Sequence, residues 1–333
     1  MSCERVIVVT GSYPPDICGV GDYVACLKNT AQARNWDIFV KSDWKISNLK
    51  GYIKEIEMLE PDKLIIQYPT QGYGWSLLPF FLMIYFSKKM GKKCIVTYHE
   101  FSNQSLKAKI CQNVFLFGVK KLVVTNEYEK KEIQKWHKKL NISIIKIFSN
   151  IPKANNLKML NTRKYNYCYF GQIRPNKGIE QFIELVRKLD GEKLLLGTIP
   201  KEFEQYGKKI VECAKQYNIR SINDASLVEV ADFLNDSKLI ILPFLDGVSE
   251  RRGSFLAAAV NGCLICTTVG RYTSTQLKEI IYIQLPMSSQ EVEFKLAHTE
   301  ENEWKLYEMK VNEYLSENIP ESWENVAEQY NNL

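Results

Sequence analysis

At 333 residues the chain is long enough for two domains, each with a packed core of its own. Hydrophobic residues make up 45% and charged residues 25%, the balance of an ordinary globular protein. The net charge of +6, from 44 Lys and Arg against 38 Asp and Glu, is too mild to argue for nucleic acid; it suits anionic small molecules or an anionic membrane surface.

The first half alternates short apolar runs with helix-length amphipathic segments. Residues 6–10, 37–40, 63–67, 93–98, 121–125 and 143–147 read as buried strands, and 21–33, 48–59, 76–89, 103–115 and 127–139 as the helices between them. Such alternation predicts a parallel, doubly wound sheet. Residues 148–164 are polar, with Ser149-Asn150-Ile151-Pro152 and Asn155-Asn156, and read as an interdomain linker. Strands then resume at 166–170, 193–197, 219–222, 238–242, 263–267 and 280–283. Residues 291–313 read as charged helix, and 322–330 place Trp323, Val326 and Tyr330 at helical spacing. The expected fold class is α/β, with two Rossmann-like doubly wound domains.

The 9 cysteines have no regular spacing, which argues against a disulfide framework and for a reducing compartment. Cys94, Cys168, Cys263 and Cys266 sit in apolar runs and read as small core residues. Cys263 and Cys266 are spaced like a redox or zinc pair, but they lie in a strand pattern without a second pair, so no metal site is expected. No basic-then-apolar leader opens the sequence. The longest apolar run, 77–86, contains Pro79 and is far short of the roughly twenty residues that a bilayer requires. With Lys88, Lys89, Lys92 and Lys93 behind it, that run reads as a core helix with a basic end or as a membrane-surface face. The expectation is a soluble or peripheral protein.

Loops after strands carry the chemistry. The first βα turn holds Gly19, Val20 and Gly21, whose backbone N–H groups suit a ligand at the next helix start. Val24 stands where a dinucleotide fingerprint would need its third glycine. Later, Tyr169-Phe170-Gly171-Gln172-Ile173-Arg174-Pro175-Asn176-Lys177-Gly178 sets Arg174 and Lys177 at a helix start, where side-chain charge and free N–H groups both favour an anion. The third loop, Asp246-Gly247-Val248-Ser249-Glu250-Arg251-Arg252-Gly253-Ser254, precedes a small apolar helix. It reads as a phosphate site or as an αβ corner with solvated arginines. His99 falls at the carboxyl end of a strand, where open α/β sheets place their ligands; the other reading is a satisfied strand-end histidine. Glu250 reads as a site carboxylate or as a surface group paired with Arg251. Asp22 and Glu100 are open between the two readings. His137 and His298 lie in charged helical segments and read as solvated.

Taken together, Pro14-Pro15 with Gly19-Val20-Gly21-Asp22-Tyr23, Thr97-Tyr98-His99-Glu100, Gly171 with Lys177-Gly178, and the Asp246 to Ser254 loop resemble a retaining glycosyltransferase of family 4, in a sub-branch with a Ser-x-Arg-Arg-Gly-Ser motif. The resemblance covers nearly the whole chain. It implies the GT-B fold, two Rossmann-like domains facing across a cleft: an acceptor domain over 1–150, a nucleotide-sugar donor domain over 151–315, and a helix over 316–333 that crosses back to the first domain. It further implies roles. Gly19, Val20 and Gly21 form the loop facing acceptor and donor phosphate. His99 lies near the transferred sugar. Arg174 and Lys177 neutralise the nucleotide diphosphate. Glu250 holds sugar hydroxyls, and Gly253 and Ser254 turn N–H groups to the diphosphate. No metal and no cofactor are implied, because side chains and helix starts neutralise the leaving group.

Two positions depart from the pattern. The second glutamate, which in relatives holds the ribose, falls on Ala258, and Gln172 stands where many relatives carry the phosphate arginine. The implied activity is transfer of a sugar, hexosyltransferase-type, from a nucleotide-diphosphate donor to a glycan or lipid-linked acceptor with retention. The implied setting is surface polysaccharide synthesis (O-antigen, lipopolysaccharide or capsule) in the cytoplasm at the inner face of the membrane, with peripheral membrane contact. The alternatives are a catalytically silent scaffold of the same fold, favoured by Ala258 and Gln172, and a nucleotide-sugar epimerase.

Overall fold

The computed structural model describes residues 4–102 and 106–333. They divide into two compact units, one running as far as Ile147 and taking in Pro320–Leu333, the other Phe148–Ile319.

In the first unit β1 (Val6–Thr10), β2 (Trp36–Val40), β3 (Lys63–Tyr68), β4 (Cys94–Tyr98), β5 (Lys121–Val124) and β6 (Asn141–Ile144) form a parallel sheet ordered β2-β1-β3-β4-β5-β6. β1 and β4 are buried at every position, as strands covered by helices on both faces must be. The crossovers carry α1 (Gly19–Lys28), α2 (Leu49–Met58), α3 (Leu78–Met90), α4 (Leu106–Leu116) and α5 (Glu127–Gln134). The order of connection reverses between β1 and β3. At such a switch point the following loops part and leave a crevice at the strands' carboxyl ends.

The second unit repeats the plan. Its strands β7 (Tyr165–Phe170), β8 (Lys193–Gly197), β9 (Ile219–Asn223), β10 (Ser237–Leu242), β11 (Leu264–Thr268) and β12 (Ile283–Leu285) are ordered β12-β11-β10-β7-β8-β9, all parallel. Its helices are α6 (Ile179–Val186), α7 (Glu204–Gln216), α8 (Leu227–Asn235), α9 (Gly253–Val260), α10 (Thr275–Glu279), α11 (Ser289–Ala297) and α12 (Glu301–Asn318). Here the switch point lies between β7 and β10. The loops after those two strands are the ones that hold Arg174, Lys177 and Glu250.

The last helix, α13 (Trp323–Asn331), belongs to the first unit. Tyr330 is fully buried there, and its hydroxyl sits 2.9 Å from both Tyr23 and Thr97. Lys63 Nζ donates to the carbonyls of Tyr330 and Asn331 at 3.1 and 2.8 Å, a cation at the negative end of the helix dipole.

Several boundaries differ from the sequence expectations. The first helix stops at Lys28, because Thr30 caps a separate 3-10 turn at Ala31–Ala33. The strand expected at 143–147 lies at Asn141–Ile144, where it pairs residue for residue with β5. The last strand begins only at Ile283, since Ile280 still caps α10. The helical stretch 291–313 is two helices broken at His298, and the start of the helix expected at 103 lies outside the described residues. The polar stretch 148–164 is packed, not free: Asn261 accepts from the Ala154 N–H and donates to the Pro152 carbonyl, and Arg163 is buried. His137 is buried rather than solvated. It turns inward past the end of α5, takes a 2.9 Å hydrogen bond with Asn113, and burial pulls its pKa down.

Candidate functional site

In the second unit Phe170 leads into Gly171, whose N–H donates to the Leu196 carbonyl. The loop then turns through Asn176 and Gly178, both in the left-handed region at φ 64° and 76°. A Cβ on Gly178 would lie 2.2 Å from the Pro243 carbonyl oxygen, so the start of α6 presses directly on the end of β10. Gly178 caps α6 without a side-chain hydrogen bond. Arg174 Nε donates to the Gln172 side-chain carbonyl at 3.1 Å, so Gln172 holds the arginine two places on. The Tyr169 hydroxyl donates to the Lys177 carbonyl at 3.1 Å, pinning the loop from below. Burial pushes the Tyr169 pKa up, and the charges of Arg174 and Arg252 pull against it.

The loop after β10 is held by its neighbour after β11. Gly247 and Gly270 approach so closely that a Cβ on either would meet backbone of the other's turn at 2.2 and 2.1 Å. Val248 N–H donates to Thr268, and Thr273 Oγ1 to Val248. Arg252 pairs with Asp246 and lies 4.8 Å over the Phe244 ring. Arg251 and Arg271 flank Tyr272, at 5.3 and 4.5 Å from its centroid. Glu250 Oε1 accepts from Ser274 Oγ at 2.6 Å. Beside it, buried, lies the Tyr314 hydroxyl of α12, with no hydrogen-bond partner among the described residues. Burial raises the Tyr314 pKa first and the Glu250 carboxylate second. α9 opens at Gly253 and Ser254 with no side-chain cap from Arg252. Ala258 is fully buried, so position 258 offers nothing to a ligand.

Helix starts differ in how their first N–H groups are met. α5, α8, α10, α11 and α13 open with an Asn or Ser side chain on their first N–H groups. α1, α6 and α9, at the three loops singled out in the sequence, do not, and neither do α2, α3, α7 and α12. A helix start left open in this way has donors for an anion.

In the first unit Gly21 packs against the Ser12 carbonyl, where a Cβ would lie at 3.1 Å, whereas Gly19 faces open space. Packing within the protein therefore accounts for Gly21 and not for Gly19. Val20 is half-buried between them. Asp22, in the first turn of α1, has its pKa raised by burial to about 6. His99 follows β4; its Nε2 lies 2.7 Å from Gln67 Oε1, and the Tyr23 ring meets it edge-on at 4.9 Å. Thus Gly19, Val20, Gly21 and His99 belong to one unit, and Arg174, Lys177, Glu250, Gly253 and Ser254 to the other. Sequence reasoning missed Gln67, Ser274 and Tyr314. Gln67 left a signal, a lone polar residue in the apolar run Lys-Leu-Ile-Ile-Gln-Tyr; Tyr314 left none, since α12 is remote in sequence from Glu250. Among the described residues no group of three or more His, Cys, Asp or Glu is placed to hold a metal ion.

No protein-family model and no curated protein sequence matches the chain. Solved structures do. Sucrose-phosphate synthase from Thermosynechococcus elongatus superposes with a TM-score of 0.71 at 14% identity, over 99% of this chain and 98% of that one. HepE of Anabaena, solved with UDP and glucose, gives 0.68 at 9% identity over 99% and 98%. WaaG, a glycosyltransferase of lipopolysaccharide biosynthesis, gives 0.58 at 11% identity over 98% of each chain. At these identities the likeness is one of fold: two Rossmann-like units, each a six-stranded parallel sheet with flanking helices, as in GT-B glycosyltransferases.

Proposed function

We propose that the protein is a retaining glycosyltransferase that moves a sugar from a nucleotide-diphosphate donor to a glycan or lipid-linked acceptor. The observation that carries this reading is the carboxyl edge of the second sheet. Two uncapped helix starts, α6 and α9, flank its switch point together with Arg174, Lys177 and a fixed carboxylate, Glu250. A diphosphate leaving group needs what this edge supplies: positive charge and N–H donors already in place when its negative charge develops. As the bond from the anomeric carbon to the phosphate oxygen breaks, its electron pair stays on the phosphate facing Arg174, Lys177 and the α9 amides. The acceptor oxygen bonds to the same face of that carbon and its proton passes to the departing phosphate. Glu250, oriented by Ser274, takes hydroxyls of the sugar. In the first unit, the loop at Gly19, Val20 and Gly21 and the ring of His99 are assigned to the acceptor. No metal enters this scheme.

The donor chemistry agrees with the neighbours' contents, UDP with glucose in HepE and ADP in a starch synthase. Calorimetry with UDP, GDP and ADP, followed by a donor screen against lipid-linked acceptor mixtures read by mass spectrometry, tests the reading. Failure of every nucleotide to bind would favour the silent scaffold that Ala258 suggests. Nucleotide-dependent release of free sugar without acceptor would favour an epimerase.

The acceptor side points to a membrane. α3, α4 and the turn after α5 share an exposed apolar face: Phe81 lies 5.8 Å from Phe115, Phe117 is 74% exposed and 4.5 Å from His137, and Val114 and Trp136 are exposed as well. Exposed Lys88, Lys89, Lys92, Lys93, Lys120, Lys135, Lys138 and Lys139 accompany it. Aromatic side chains beside lysines suit an anionic bilayer surface, and no helix among the described residues is long and apolar enough to cross one. We propose, on this face and on the resemblance noted above, work on a surface polysaccharide at the inner face of the membrane. Sedimentation with vesicles of neutral lipid and of neutral plus anionic lipid checks it: binding only to the anionic vesicles, lost in Phe117→Glu, is expected.

A further inference from the structure

We infer that Gln67 is a positioning residue for His99, and that its buried amide carbonyl holds the ring with its proton on Nε2. The inference rests on the reading of His99 as a site residue only for its consequence in catalysis; the tautomer itself stands on the geometry.

Gln67 is the fifth residue of β3 and is fully buried. A polar side chain there costs about 1–3 kcal/mol unless its groups are satisfied, so its presence among Leu64, Ile65 and Ile66 needs a reason. One end has it: Oε1 lies 2.7 Å from His99 Nε2. The other end, Nε2, has no acceptor within hydrogen-bond distance. Its polar surroundings are still definable. Gln67 is the direct cross-strand partner of Thr97, and Thr97 Oγ1 is 2.9 Å from the Tyr330 hydroxyl. Burial pushes Tyr330 up to about 12, with Thr97, Tyr23 and Gln67 pulling it back.

The end of the amide that meets the imidazole is its carbonyl oxygen. Tyr23 donates to the Tyr330 oxygen at 2.9 Å, and the Tyr330 and Thr97 hydroxyls share a hydrogen bond of the same length. A carbonyl facing Nε2 requires a proton on Nε2 and leaves Nδ1 as the acceptor nitrogen. The Tyr23 ring, edge-on to His99 at 4.9 Å and to Trp323 at 5.3 Å, fixes the ring plane.

The chain has only 3 histidines, so its imidazole nitrogens are separable by long-range proton–nitrogen NMR on 15N-histidine protein at about pH 8, above the usual histidine range. His99→Asn assigns the signals. The expected pattern for His99 is the pure Nε2–H tautomer. The Nδ1–H pattern in the unaltered protein would overturn the inference. Gln67→Met keeps the volume and removes the acceptor; a shift to a tautomer mixture is expected, and an unchanged pattern also overturns it. Alongside, nucleotide affinity by calorimetry should stay within twofold in Gln67→Met while transfer falls about tenfold. A tautomer shift with unaltered transfer upholds the positioning and removes His99 from the reaction instead.

Discussion

The carboxyl edges of the two sheets rest on the same scaffold and carry opposite chemistry. The first is aromatic and hydroxylic, with Tyr23, His99, Gln67 and Tyr330 within one network and Asp22 as its half-buried charge. The second is cationic, with Arg174, Lys177, Arg251, Arg252 and Arg271 on adjoining loops and Glu250 among them. Strand packing does not ask for this difference, since both sheets are parallel and buried to the same degree. A division of labour does: an edge of rings and neutral donors suits sugar hydroxyls, and an edge of guanidiniums and open amides suits a pyrophosphate.

Substitutions that act on one edge alone give the hardest test of that division. Lys177→Ala is expected to lower transfer about 10²–10³-fold, the usual loss for a group that meets developing charge, and to weaken nucleoside-diphosphate binding in calorimetry. His99→Ala should lower transfer and leave nucleotide affinity within twofold. Equal loss of nucleotide affinity in both variants would erase the contrast.

The next effect is on stability. Lys63→Met removes the donors to the end of α13 and should cost the first unit about 1–3 kcal/mol, read as a lower thermal midpoint of one transition while the second unit's transition stays. Ser274→Ala frees Glu250 on one side. About a tenfold fall in kcat with the nucleotide Kd unchanged is expected, and Tyr314→Phe should act in the same direction.

The smallest effect belongs to Asp22. Its pKa is raised by burial from 3.8 to about 6, so the folded state holds a proton that the unfolded chain has released. Between about pH 4 and 6 the unfolded state binds fewer protons, so stability falls as pH rises through that window and is level above it. With the partial exposure discounted, the fall is about 1 kcal/mol. Asp22→Asn should flatten the melting temperature across the window; an unaltered slope would show that Asp22 is not its source.

The strands of both sheets were legible because parallel strands buried on two faces are continuous apolar runs, as in Val-Ile-Val-Val-Thr of β1 and Lys-Leu-Leu-Leu-Gly of β8. Loop residues were legible where glycine, proline and charge cluster, hence Gly19, Arg174, Lys177 and Glu250. What stayed hidden acts across long sequence distances. Tyr314 reaches Glu250 from another helix, and Tyr330 reaches Thr97 from the far end of the chain, and neither contact leaves a local pattern. His137 was misread because its neighbours are charged; only the tertiary turn after α5 shows the ring going under Phe117.

The placement of α13 has a consequence for synthesis. The first lobe to leave the ribosome is missing a piece of its core, Tyr330, and the acceptors for Lys63, until all of Phe148–Ile319 has been translated. The second lobe is contiguous and has no such wait. Nascent chains should therefore gain protease resistance in reverse order of emergence, the later lobe before the earlier one.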